Sequence, residues 1–140
     1  MKKSVALVAL SLLVAGCVSN GKMSVSREQL QHHRFVLESV DGKPVPQSAQ
    51  PFELSFGEKL HISGKMCNRF NGQATLSDGE LKAKELAMTR MMCANPQIGE
   101  LDNTLSTMLK QGAQVDLTAN QLTLATAEHS LSYKLADLVQ

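Results

Sequence analysis

The chain has 140 residues, room for a single domain, with a formal charge of +1 and 19% charged residues. So neutral a balance excludes the dense basic face that nucleic-acid binding requires. With no Trp, one Tyr and four Phe, the core must rest on Leu, Val, Ile and Met, and a modest core of that kind benefits from a covalent staple.

Residues 1–16 read as a signal peptide. Lys2 and Lys3 form a positive start, and an apolar run from Val5 to Val14, interrupted only by Ser11, leads to the small residues Ala15 and Gly16. A run of that length is too short to span a bilayer stably. Leu13-Val14-Ala15-Gly16-Cys17 resembles a bacterial lipobox, whose cysteine receives diacylglycerol. The plainer alternative is an ordinary signal peptide with a cysteine near its cleavage site. A lipid on Cys17 would hold the domain at a bilayer, each buried CH₂ contributing about 0.8 kcal/mol. Val18 after the cysteine is not acidic, which points to the periplasmic face of the outer membrane. Residues 17–25 are then a lipidated cysteine and flexible tether, and residues 26–140 the folded domain. Export would also remove Lys2 and Lys3 and leave the mature chain slightly negative.

Ser26-Arg27-Glu28-Gln29 fits a capping box and predicts a short helix over Arg27–His33. From there strand signals dominate. Arg34–Val40 alternates around Phe35 and Leu37 and meets the turn dipeptide Asp41-Gly42. Phe52–Phe56 and Leu60–Met66 alternate about Gly57-Glu58-Lys59 and form an expected hairpin, with Leu60 and Ile62 on one face. Gln73–Ser77 and Glu80–Leu86 flank Asp78-Gly79 as a second. Asn95 suits an N-cap and Pro96 the first helical position. Ile98, Leu101, Leu105, Met108 and Leu109 then share one helical face, and Gly112 supplies the stop. Glu100 and Asp102 near the start and Lys110 near the end suit the helix dipole. Three strands follow, around Val115–Leu117, Gln121–Leu124 and Ser130–Ala136. Strands, one main helix and more strands predict an α+β domain whose antiparallel sheet, curled and partly barrel-like, packs with that helix and a short N-terminal one.

If Cys17 carries lipid, Cys67 and Cys93 remain, and two cysteines in an oxidising compartment are natural partners. Closing a loop of that length stabilises a fold by about 3–4 kcal/mol on chain-entropy grounds. The alternatives are a thiol nucleophile paired with one of His32, His33, His61 or His129, or a zinc site. Neither has a Cys-x-x-Cys or other recognisable spacing behind it. The run Cys67-Asn68-Arg69-Phe70-Asn71-Gly72 predicts a tight loop after the strand ending near Met66. Asn68 and Gly72 would satisfy turn geometry there while Phe70 packs inward. The sharper alternative is a recognition surface of Asn68, Arg69 and Asn71.

Two segments carry a family resemblance. Ser63-Gly64-Lys65-Met66-Cys67-Asn68-Arg69-Phe70-Asn71-Gly72 resembles the S-G-x-x-G-C-N-x-F-x-G signature of META domains. Leu86-Ala87-Met88-Thr89-Arg90-Met91-Met92-Cys93 is similar to their L-x-x-T-R-M-x-C segment. Arg34–Gly42 resembles their opening W-x-L-x-S-x-x-G, with Phe35 where Trp is common, and Met66 stands where glycine usually precedes the cysteine. The resemblance implies a compact α+β fold with Cys67 and Cys93 close together. It also implies envelope residence and an association with stress and antibiotic tolerance, novobiocin being the drug concerned. It implies no established enzymatic activity, and no catalytic residue, metal or cofactor is expected. The expectation is a non-catalytic, monomeric envelope lipoprotein that binds an unknown envelope protein or an apolar ligand. A lipid carrier or a thiol enzyme is the alternative.

Overall fold

The computed structural model describes residues 25–46 and 50–138. The signal segment, Cys17 and residues 18–24 of the tether lie outside them.

The N-terminal helix α1 (Arg27–Leu30) starts as its capping box dictates, the Ser26 N–H donating to Gln29 Oε1 at 2.7 Å. It is one turn long, shorter than expected. His32 takes a left-handed φ of 67°, and the His32 N–H reaches Phe56 O at 2.7 Å. His33 thus already belongs to strand β1 (His33–Val40), which buries Phe35 and Leu37. Asp41-Gly42, at φ 52° and 82°, turns the chain into the short β2 (Lys43–Pro44). Two consecutive positive φ values give the tight hairpin turn whose twist matches that of its strands.

β3 (Glu53–Phe56) and β4 (His61–Lys65) form the first expected hairpin. Its turn places Lys59 and Leu60 at φ 53° and 60°. Leu60 is therefore a turn residue, although its side chain is buried with that of Ile62. β5 (Arg69–Gln73) follows, then β6 (Thr75–Ser77) and β7 (Glu80–Lys82), which close the second hairpin over Asp78-Gly79. That hairpin is shorter than its sequence suggests. The chain leaves it at Ala83, and Leu86 enters a separate strand, β8 (Leu86–Met88), paired with β5.

Helix α2 (Pro96–Gln111) begins at Asn95, whose side chain accepts the Gln97 N–H at 2.9 Å, and ends at Gly112. Its buried stripe is Leu101, Asp102, Leu105, Met108 and Leu109. Neither Glu100 nor Asp102 falls in its first turn, so the dipole role expected of them is not theirs, while Lys110 does stand in the last. The closing meander is β9 (Ala113–Thr118), β10 (Gln121–Ala125) and β11 (Ser130–Leu138).

All pairings are antiparallel, in the order β6-β7-β9-β10-β11-β1-β3-β4-β5-β8, with β2 beside β1. The sheet curls into a half-barrel. Its inner face buries Phe35, Leu54, Phe56, Leu122 and Tyr133, joined in one core by the apolar stripe of α2. The expected α+β class and curled sheet are what the chain forms.

Candidate functional site

β4 and β5 meet in a tight turn, Met66-Cys67-Asn68, closed by the Met66 N–H donating to Asn68 O at 3.1 Å. The loop expected over residues 67–72 is therefore only its first two residues, because Arg69–Gln73 pairs with both β4 and β8. Phe70 points into the core as expected. Met66 is not among the residues with positive φ, so losing the usual glycine costs no strain there. Gly72 serves close approach, since a methyl on it would collide with the Glu85 carbonyl and Leu86. At Gly64 a methyl would strike the Glu53 carbonyl and the Phe70 ring. The signature glycines thus let strands and rings crowd together, and neither makes the turn.

Asn68 is 7% exposed and Asp102 5%. The Asp102 carboxylate accepts the Cys67 N–H at 3.2 Å, the Asn68 N–H at 3.2 Å and the Asn68 Nδ2–H at 2.9 Å. On its other side, Asn68 Oδ1 accepts the Thr89 hydroxyl at 2.9 Å and the Met91 N–H at 2.7 Å. Asn68 Nδ2 also reaches Met91 O at 3.3 Å. Thr89 completes the web, exchanging hydrogen bonds with the Arg69 backbone at 3.0 and 3.1 Å. One asparagine therefore ties the β4–β5 turn to the segment after β8 and, through Asp102, to α2. Hydrogen bonds to a charged partner contribute about 1.5–3 kcal/mol each, and a buried carboxylate is tolerable only with such donors.

This placement divides the expected recognition residues. Asn68 is buried and its amide is fully engaged inside the protein, so it presents nothing to a partner. Arg69 and Asn71 are exposed on the outer face of β5. Cys67 and Cys93 are brought together, their Cα atoms 6.0 Å apart, within disulfide range. Asp102 carries the network, yet the sequence reading placed it only near a helix start. Its signal was legible: it shares the stripe of Ile98, Leu105 and Leu109, where an acidic residue requires a partner.

Beside the cysteines lies an open groove of about 830 Å³ between β8, the segment that follows it, and α2. Lys84, Glu85, Arg90, Glu100 and Lys110 line it with both signs of charge. Met91 and Met92 stand on its rim, 62% and 97% exposed. None of the four histidines lines it. His129 lies elsewhere, with Nδ1 2.9 Å from Asp41 Oδ2, while Asp41 Oδ1 accepts the Ser130 N–H at 2.8 Å. These two hydrogen bonds, His129 first, hold the Asp41 carboxyl below its ordinary range. Among the described residues, no three His, Cys, Asp or Glu side chains converge as a metal site.

A curled antiparallel sheet, one long helix and two signature segments joined through an asparagine define the class. The chain belongs to the META domain family, which matches residues 28–137. It is 73% identical over 139 residues to "Heat shock protein HslJ" of Escherichia coli (strain K12), covering 99% of each chain. A solved NMR structure at 74% identity superposes with a TM-score of 0.76, over 81% of this chain and 97% of that one. An NMR structure of a protein from Burkholderia xenovorans shares the fold, with a TM-score of 0.64 at 23% identity, over 82% and 94% of the two chains.

Proposed function

We propose that this protein is a non-catalytic stress protein of the bacterial envelope, anchored through lipid on Cys17 and acting as a binding module. The observation that carries this reading is the end-to-end similarity to a protein named for heat shock. The site supports it too. Its buried polar side chains, Asn68 and Asp102, are engaged with each other and the backbone, which leaves neither free to act as a base or nucleophile. Cys67 and Cys93 form a structural disulfide in this reading, which argues against a thiol enzyme. The inner face of the half-barrel is filled by fully buried Phe35, Phe56 and Tyr133, which argues against a lipid carrier.

Tolerance of novobiocin follows indirectly. The drug is bulky and apolar, so its entry responds to the outer-membrane barrier, and a module that supports that barrier slows it. Deleting the gene should sensitise cells to large apolar drugs and leave sensitivity to small hydrophilic ones unchanged. Equal sensitisation to both would remove the barrier explanation.

The direct test is the intact mass of the protein from its native envelope, after thiol alkylation without reduction. Acylated Cys17 with unlabelled Cys67 and Cys93 is the expected result. Alkylation of either Cys67 or Cys93 would return thiol chemistry to the front, and an unacylated chain would remove the anchor.

A further inference from the structure

We propose that the groove beside β8 is a docking site for an extended peptide, which adds to the sheet as a further antiparallel strand. The inference deepens the binding-module reading and rests on it.

Among the described residues, β8 is a terminal strand of the sheet, paired on one side only, with β5. The pairing shows which backbone groups are left over. The Thr89 N–H donates to Arg69 O, and Ala87 stands opposite Asn71. Because hydrogen-bonding direction alternates along an antiparallel strand, Leu86 and Met88 direct their N–H and C=O groups away from β5. Both residues line the groove, and its far wall is the Gly99, Asn103 and Ser106 side of α2. A free strand edge facing a helix across an open groove is the arrangement in which an extended segment gains main-chain hydrogen bonds on one side and side-chain contacts on the other.

The two ends of the groove differ in chemistry, and that difference specifies the occupant. The Ala83 N–H donates to Leu109 O at 2.9 Å, which brings Lys84 and Lys110 to one end, where Glu85 offsets one of the two lysines and leaves that end net positive. The other end is rimmed by Met91 and Met92, flexible thioethers suited to gripping varied apolar side chains. Every pairing in this sheet is antiparallel. An added antiparallel strand runs opposite to β8, from the methionine end to the lysine end. The occupant is therefore a peptide with an apolar residue near its start and an acidic residue a few positions later, extended between them. The short β8 allows main-chain pairing over only a few residues, so the affinity is modest and the exchange fast.

The test begins with random decapeptides displayed on phage and selected against the mature full-length chain. A selected sequence is then synthesised and titrated into ¹⁵N-labelled protein. The expected result is enrichment of sequences with an apolar residue followed by Asp or Glu, and shifts at the Leu86 and Met88 amides. N-methylation of alternate peptide amides should weaken binding at least tenfold, and Lys110→Glu, on an exposed side chain, several-fold. Met88→Pro removes an outward N–H without touching the ladder to β5, and should abolish the shift at the Leu86 amide while the rest of the spectrum stays folded. Shifts that map elsewhere, or an N-methylated peptide that binds equally well, would overturn the groove and leave the binding-module reading standing. Failure of both the peptide selection and a pull-down from solubilised envelope would remove both.

Discussion

Two turns in this molecule are pinned in the same way and stabilised very differently. At Asp41, a carboxylate on an exposed turn takes the Ser130 backbone N–H and the His129 ring, joining the β1–β2 turn to the start of β11. At Asn68, an amide and the Asp102 carboxylate take backbone N–H groups from the β4–β5 turn and the segment after β8. The chemistry is shared, and burial sets the energy. Around Asp41 water competes for every donor, and such pairs contribute about 0–1 kcal/mol. Around Asn68 a lost partner leaves a buried group unsatisfied, at a cost of about 1–3 kcal/mol for each group.

The most destructive way to break this contrast is Asn68→Ala. It leaves the Met91 N–H, the Thr89 hydroxyl and part of the Asp102 carboxylate without partners, and should lower unfolding stability by about 3–5 kcal/mol, read by urea denaturation. Next come Cys67→Ala and Cys93→Ala: on the proposed disulfide each should cost about 3 kcal/mol, and by nearly the same amount, because both remove one bridge. A marked inequality between the two would indicate that one thiol acts alone. Because the cysteines flank the Asn68 network, the double change Asn68→Ala with Cys67→Ala should cost less than the sum of the two.

Asp41→Asn, which keeps a residue tolerant of the left-handed φ and removes the charge, is a smaller effect, under about 1 kcal/mol near neutral pH. Its pH dependence sharpens the comparison. The folded Asp41 pKa lies below its unfolded value, so the stabilisation is complete above the unfolded pKa and is lost as pH falls through the folded one. Wild type and Asp41→Asn should therefore converge in acid, and stability curves below pH 5 check this. The smallest expected change is Tyr133→Phe. The Tyr133 hydroxyl is buried and has no hydrogen-bond partner among the described residues, and burial pushes its pKa upward. Removing it should leave stability unchanged or raise it by up to about 1 kcal/mol, measured as a shift in Tm.

Local signals were the legible ones. Asn95, Pro96 and Gly112 bound α2 correctly because caps act on neighbouring backbone, and the Asp-Gly pairs located two turns for the same reason. Two META signatures located the cysteines that the fold brings together. What escaped was long-range. Leu86 read as the end of a hairpin strand, because nothing in its neighbourhood reveals that β8 pairs with β5. Residues 69–72 read as a loop because Asn and Gly favour turns, yet pairing on both sides holds them extended. Asp102 read as a helix-dipole residue because its donors come from residues more than thirty positions earlier.

The place of β1 has a consequence for how the chain reaches this state. β1 sits between β3 and β11, so an early strand acquires one of its two neighbours only when the last strand arrives. Until Ser130–Leu138 docks, one side of β1 is an open edge that any other extended chain could occupy. Pairings so distant in sequence slow folding toward the millisecond-to-second range. The final segment thus closes the kinetic window in which this protein is most exposed to aggregation.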